Sequence, residues 1–258
     1  MRYFDTHAHL GLIDDDPIKQ LLITQEARQH GVMRILSICN NLLDFAKVYG
    51  HLKTANNVYF AAGVSPSEVQ NPGKDWAAVL KQNAQLPKVV AIGEIGLDYF
   101  HKFGDKTTQV ELFIQQLDIA GKLGLPVIIH NREAGRDVLD ILRDRLPSRG
   151  GVLHCYSENA EYAKKASKLD IYFSFAGNLT YKNAKNLHES VNVIPRERIL
   201  IESESPFMVP SEFRGKRNMP KYINLTARRL SEMLSLSEEE MSEILWENSC
   251  RFFGLPLD

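Results

Sequence analysis

Two histidines, His7 and His9, stand two apart in the strand-like run from Phe4 to Leu10. Side chains alternate along a strand, so both imidazoles point to one face. Neutral imidazole is the commonest metal ligand among side chains, and such a pair can hold one ion without a loop folding around it. By itself His-x-His also fits two polar residues at a strand end. Four more residues extend the pattern: Glu94, His130 and His154 each end a short apolar run, and Glu204 sits just past another. A hydrogen-bonded strand-end residue accounts for any one of these, but poorly for six at five strand ends. Six ligand-type side chains are too many for one tetrahedral zinc that keeps an open position. They suit two divalent ions bridged by a carboxylate or a water. Glu94, from a middle segment and with two oxygens, is the natural bridge. Mixed imidazole and carboxylate ligands suit zinc or manganese better than an all-oxygen magnesium cage.

The elements that must position these residues are eight short apolar segments, at 3–9, 34–39, 58–64, 89–94, 126–130, 151–154, 171–175 and 199–203. Helical patterns lie between them, for example at 18–30, 43–54, 106–123, 134–146 and 159–169. Gln109, Phe113, Gln116, Leu117 and Ala120 have the spacing of a buried helical face. Gly124 suits a helix end, and Pro126 opens the next strand. Eight βα steps predict an α/β fold, a closed (β/α)8 TIM barrel, whose C-terminal strand ends gather at one mouth. The six candidate ligands converge there. The alternative is an open doubly wound sheet, but no Gly-x-Gly-x-x-Gly turn follows the first strand. Residues 207–220, rich in charge and proline, predict a long loop, and helices follow at 222–234 and 237–253. Ser237 and Glu240 form a capping-box pattern. No linker or composition shift divides residues 1–258, which read as one domain.

The apolar fraction is 44%, the charged fraction 24% and the formal net charge −1. These are values of a soluble globular protein, with no global attraction to nucleic acid; a local patch can still bind it. Three widely spaced cysteines, Cys39, Cys155 and Cys250, argue for a reducing compartment and against a disulfide framework or a thiolate zinc site. Cys155 follows His154, and strand alternation predicts that it packs outward. No signal peptide or apolar run of membrane length is evident. The expected location is the cytoplasm, and the expected state a monomer with no membrane partner. The remaining histidines, His30 at a helix end, His51 and His188 in helical stretches and His101 in a loop, read as ordinary surface or helix-end residues.

The motifs resemble those of the TatD family of metal-dependent hydrolases, described as deoxyribonucleases, within the amidohydrolase-like barrels. Asp5-Thr6-His7-Ala8-His9-Leu10 resembles the family opening, and Gly93-Glu94-Ile95-Gly96-Leu97-Asp98-Tyr99 its most specific signature. Leu125 to Ala134, His154-Cys155-Tyr156-Ser157, Phe213 to Asn218 and Glu247 to Phe253 resemble further blocks. The resemblance implies a (β/α)8 barrel, a two-metal centre and hydrolysis of DNA or another phosphodiester. It implies that His7 and His9 bind one ion, Glu94 bridges, and His130 and His154 bind the second, with magnesium also able to support activity. Asp98 is expected to support a ligand or fix its loop. Arg132, Arg214, Lys216 and Arg217 become candidates for phosphate contacts, because guanidinium forks match phosphate oxygens.

Three departures stand out. The family usually ends its last strand in Glu-Thr-Asp-Ser-Pro; here the stretch is Glu202-Ser203-Glu204-Ser205-Pro206, with a carboxylate one methylene longer. The family tends to carry Gly-x-His-Pro-His after the third strand, where this chain has Gly63-Val64-Ser65-Pro66-Ser67. Glu158 stands where a glycine is usual. Strand parity puts Leu200, Glu202 and Glu204 on one face, with Glu204 nearest the metals and placed to take a proton from water. Two alternatives stay open: a metal-dependent hydrolase of a small amide, ester or lactone, and a binding protein that has lost turnover.

Overall fold

Strands alternate with helices throughout the computed structural model, which describes residues 1–258. In chain order these are β1 (Tyr3–Ala8), α1 (Leu10–Ile13), α2 (Pro17–Gln29), β2 (Val32–Ser37), α3 (Leu42–Leu52), β3 (Val58–Ala62), α4 (Trp76–Asn83) and β4 (Val89–Asp98). Then come α5 (Lys106–Leu123), β5 (Val127–Arg132), α6 (Gly135–Arg145), β6 (Gly151–Leu153), α7 (Ala160–Ala166), β7 (Ile171–Phe175), α8 (Lys185–Val191), β8 (Ile199–Ile201), α9 (Ile223–Leu234) and α10 (Glu238–Phe253). The strands form one parallel eight-stranded sheet ordered β1 to β8. The fold is a TIM barrel.

The barrel closes just beyond β8. The His9 amide donates to the Ser205 carbonyl at 2.9 Å and the Glu204 amide to the His7 carbonyl at 2.9 Å. Lower in the seam, side chains replace ladder bonds. The Asp5 carboxylate accepts the Ser203 amide at 2.8 Å, and the Thr6 hydroxyl donates to the Ile201 carbonyl at 2.9 Å. The seam therefore brings His7 and His9 beside Glu204.

Local chemistry sets the element ends. Asp16 caps α2 by accepting from the Ile18 and Lys19 amides, with Pro17 supplying a helical φ at the first position. Ser237 and Glu240 form the expected reciprocal capping box on α10. Gly124 ends α5 at φ 66°, a left-handed conformation that suits glycine. One buried residue from each strand, from Phe4 through Ile128 to Leu200, meets Trp246, Phe252 and Phe253 of α10, which plug the barrel. The larger core lies between the sheet and the helices. Gln109 and Gln116 occupy the buried face of α5, as their spacing predicts, and each amide satisfies backbone at or just past a strand end. Gln109 grips the Asp98 N–H and C=O, and Gln116 grips those of Val64.

The strand boundaries differ from expectation where the sheet is irregular. β4 continues four residues past Glu94, to Asp98, and its pairing with β5 shifts register between Ile92 and Ile95. Glu94 and His130 consequently lie inside strands, while His9, His154 and Glu204 lie just past strand ends. Gly96 has φ +143°, and a Cβ there would stand 2.0 Å from the His130 carbonyl oxygen. The close β4–β5 approach that carries Glu94 and His130 therefore requires glycine. No helix is long and apolar enough to cross a membrane.

Candidate metal centre

β1, β4, β5 and the ends of β6 and β8 deliver the six candidate ligands to one mouth. The Glu94 carboxylate stands at the middle. Its Oε2 is 3.5 Å from His7 Nε2 and 3.8 Å from His9 Nε2. Its Oε1 is 2.7 Å from His130 Nδ1 and 3.3 Å from His154 Nε2. Glu204 Oε2 is 3.4 Å from His7 Nε2 and 3.7 Å from His154 Nδ1. The His7 and His154 rings stack with centroids 4.0 Å apart. Three groups of donor atoms are each close enough to hold one ion: His7, His9 and Glu204; His7, His154 and Glu202; and Glu94, His130 and His154.

The surroundings fix these donors. Asp98 Oδ2 accepts from His130 Nε2 at 3.1 Å, which turns Nδ1 toward Glu94. A carboxylate on the far nitrogen of a ligand imidazole sets its tautomer and raises its basicity. Glu202 is fully buried; its Oε1 accepts the Cys155 amide at 2.7 Å and lies 3.5 Å from His154 Nδ1. This is the deeper position that strand parity predicts for Glu202. Asn218 donates to the carbonyls of Ser203 and Phe207, tying down the stretch that carries Glu204.

Electrostatics follow from this packing. Burial opposes charge on Glu94, but His154 and His130 hold its carboxyl well below the usual range. Burial likewise opposes charge on Glu204, while His7 and His154 bring its carboxyl down to about 2. His130 is pulled down by burial and carried up, to about 9, by Asp98 and Glu94. Burial lowers His9. Ionised carboxylates thus face imidazoles, and a bound cation would displace protons from His130 and His154. Glu204 Oε2 is buried without a hydrogen-bond partner, as is Glu202 Oε2. Unpartnered buried carboxylate oxygens among imidazole nitrogens are what divalent-ion ligands require, so the donor set fits metal.

Above the centre opens a cavity of about 560 Å³. Arg132 lines it, with its guanidinium 4.8 Å over the Phe100 ring. Arg214, Lys216 and Arg217 do not line it. Arg214 lies over Tyr181 and Lys216 over Phe213. Arg217 donates to the Leu12 carbonyl and borders a separate hollow with Asp14 and Glu26. Cys155 faces the cavity instead of packing outward. Its φ of +42° turns the chain out of the strand conformation, so alternation no longer holds there. His101, a loop residue in sequence, also lines the cavity and meets Asp98. Its proximity to the signature Asp98 was the one sequence signal for that placement. His30, His51 and His188 bond to Glu26, Gln20 and Leu179 outside the cavity.

A TIM barrel with histidine and glutamate clusters at its mouth defines the metal-dependent hydrolase class. The chain belongs to the TatD related DNase family, whose model matches residues 4–254. It is similar to the metal-dependent hydrolase YabD of Bacillus subtilis, 37% identical over 253 residues, covering 98% of this chain and 99% of that one. It is 32% identical over 254 residues to the metal-dependent hydrolase YcfH of Escherichia coli K12, covering 97% and 95%. The crystal structure of YjjV, a TatD homolog from Escherichia coli K12, matches with a TM-score of 0.91 at 28% identity and 99% coverage of both chains.

Proposed function

We propose that this metal-dependent hydrolase is a deoxyribonuclease that cleaves phosphodiester bonds with two divalent ions, zinc or manganese, at the barrel mouth. The observation that carries the reading is the division of the Glu94 carboxylate, with Oε2 turned to His7 and His9 and Oε1 to His130 and His154. His7 and His9 would hold one ion and His130 and His154 the other, with Glu94 facing both pairs. When bound, such ions acidify a water and offset the charge that builds on phosphate oxygens. Glu204, ionised and turned into the centre, takes the proton of the attacking water. Arg132, the cation lining the cavity, grips a phosphate through its planar fork.

The test is a DNA oligonucleotide incubated with the chelated protein and with the same protein after zinc or manganese is restored. Cleavage that returns with metal supports the reading; none with either ion overturns it. A second reading, hydrolysis of a small amide, ester or lactone, is favoured by one observation. Arg214, Lys216 and Arg217 stand apart from the cavity, leaving it poor in cations for a long polyanion. Turnover of such a substrate without oligonucleotide cleavage would select it.

A further inference from the structure

His101 lies on the cavity wall, in the loop between β4 and α5. Its side chain is 52% exposed, yet it is held on three sides. Its Nδ1 is 2.8 Å from Asp98 Oδ2, its ring stacks on Phe103 with centroids 5.2 Å apart, and it meets Phe100 edge-on at 4.8 Å. Its amide also donates to Asp98 Oδ1 at 2.8 Å. Ordering a half-exposed loop side chain opposes conformational entropy, and here the ordering fixes a chemical state. A proton on Nδ1 is committed to Asp98, which leaves Nε2 as the nitrogen that faces other partners. An aspartate on Nδ1 with Nε2 free is the arrangement that orients a histidine for proton transfer.

Asp98 also ties His101 to the metal centre. The same Oδ2 accepts from His130 Nε2, whose Nδ1 meets Glu94. One carboxylate oxygen therefore positions an imidazole of the centre and His101 together, and Gln109 clamps the Asp98 backbone at both its N–H and its C=O. On the neighbouring wall the Ser65 and Ser67 hydroxyls bond each other at 3.2 Å. Serine hydroxyls and the Arg132 guanidinium are poor proton donors near neutral pH. Among the imidazoles lining the cavity, His101 alone is not turned toward Glu94.

We propose that His101 is the general acid of the hydrolysis: as an imidazolium it keeps its Nδ1 proton on Asp98 and gives the Nε2 proton to the leaving oxygen, ending neutral. Water oxygen bonds to the scissile centre while one of its protons passes to Glu204. The bond to the leaving oxygen breaks, its electron pair stays on that oxygen, and the His101 proton joins it. Glu204 then releases a proton and His101 recovers one from solvent. The inference rests on hydrolysis at this mouth and takes from the nuclease reading only the choice of a P–O bond.

The experiment compares wild type with His101→Asn, which keeps a donor for Asp98 but lacks Nε2, and with His101→Gln as a second variant. Each is assayed on an oligonucleotide, whose alkoxide leaving group needs a proton, and on bis(4-nitrophenyl) phosphate, whose phenolate leaves without one. Removal of a general acid is expected to slow oligonucleotide cleavage by about 10²–10⁴-fold and nitrophenyl ester cleavage by at least roughly tenfold less. Bound metal per chain and melting temperature should match wild type. Equal losses on the two substrates, an unslowed oligonucleotide reaction, or a fall in bound metal would overturn the proposal. The last result would mean that His101 supports His130 through Asp98. If wild type cleaves neither phosphodiester, the nuclease reading falls, and the same comparison is run on alkyl and 4-nitrophenyl carboxylic esters. A wild-type protein inert on both classes overturns both statements.

Discussion

The carboxylate of Asp5 joins the first strand to the segment just past the last by accepting the Ser203 amide at 2.8 Å. The same Oδ1 accepts the His7 amide at 3.3 Å, while Oδ2 is buried without a partner. One oxygen thus sets the spacing between the strand that carries His7 and His9 and the segment that carries Glu204.

Asp5→Ala should leave two buried amides without an acceptor, at a cost of about 1–3 kcal/mol for each, and should lower bound metal. Asp5→Asn keeps an acceptor at Oδ1. Burial pushes the Asp5 carboxyl from its ordinary 3.8 up to about 8. The folded chain then holds a proton that the unfolded chain has released, so this contribution is complete below the unfolded value and is lost as pH rises through the folded one. In chelated protein, Asp5→Asn should gain stability relative to wild type as pH rises from about 4 to about 8. Thermal melts across that range check it; parallel curves would contradict it.

Replacing His7 and His9 together by alanine should remove one ion per chain and abolish hydrolysis while the barrel still folds. Both rings are buried and turned to Glu94 Oε2. Metal analysis of the purified variant, with circular dichroism to verify folding, is the measurement. An unchanged ion count would remove these two residues from the centre.

The six candidates could be proposed from the sequence because Glu94, His130, His154 and Glu204 end or follow apolar runs, His7 and His9 share one face of the first strand, and a parallel barrel gathers strand ends at one mouth. Cys155 could not be placed the same way, because its positive φ breaks alternation one residue past His154. Asp5 was hidden for a different reason. Its partner Ser203 is 198 positions away, and no local period encodes a seam contact. The buried face of α5 was legible in its spacing, but the reason for glutamine at 109 and 116 lies in the backbone at the ends of β4 and β3 that those amides hold. His101 belongs to a loop, where no periodicity assigns a direction; only its return onto Asp98 puts it on the cavity wall.

Arg132 and Arg217 should behave differently. Arg132 lines the cavity, whereas Arg217 is committed to the Leu12 carbonyl. Arg132→Ala should weaken oligonucleotide binding and reduce the salt slope by about one unit. Arg217→Ala should leave the slope as it is and lower the melting temperature slightly. Binding titrations at several salt concentrations decide this, and equal slopes in all three proteins would take Arg132 out of phosphate recognition.

Glu204 provides the sharpest test of the centre. Its carboxylate reaches His7 Nε2 at 3.4 Å and His154 Nδ1 at 3.7 Å from a backbone at φ +56°. Non-glycine residues rarely adopt that conformation, and aspartate and asparagine tolerate it best. Aspartate would therefore relieve the backbone while withdrawing the oxygens by one methylene. Misplacement by about 1 Å is enough to cost roughly a hundredfold in rate, but Ser205 and Asn218 hold this stretch, so the shorter side chain starts from a fixed backbone. Glu204→Asp is expected to keep or raise turnover. Glu204→Ala should abolish it and lose metal, because the carboxylate beside His7 and His154 goes with it. Glu204→Gln should keep the shape and lose the base. Turnover with saturating metal, measured beside ion content, separates the three. Wild-type turnover in Glu204→Ala would show that Glu204 is neither ligand nor base.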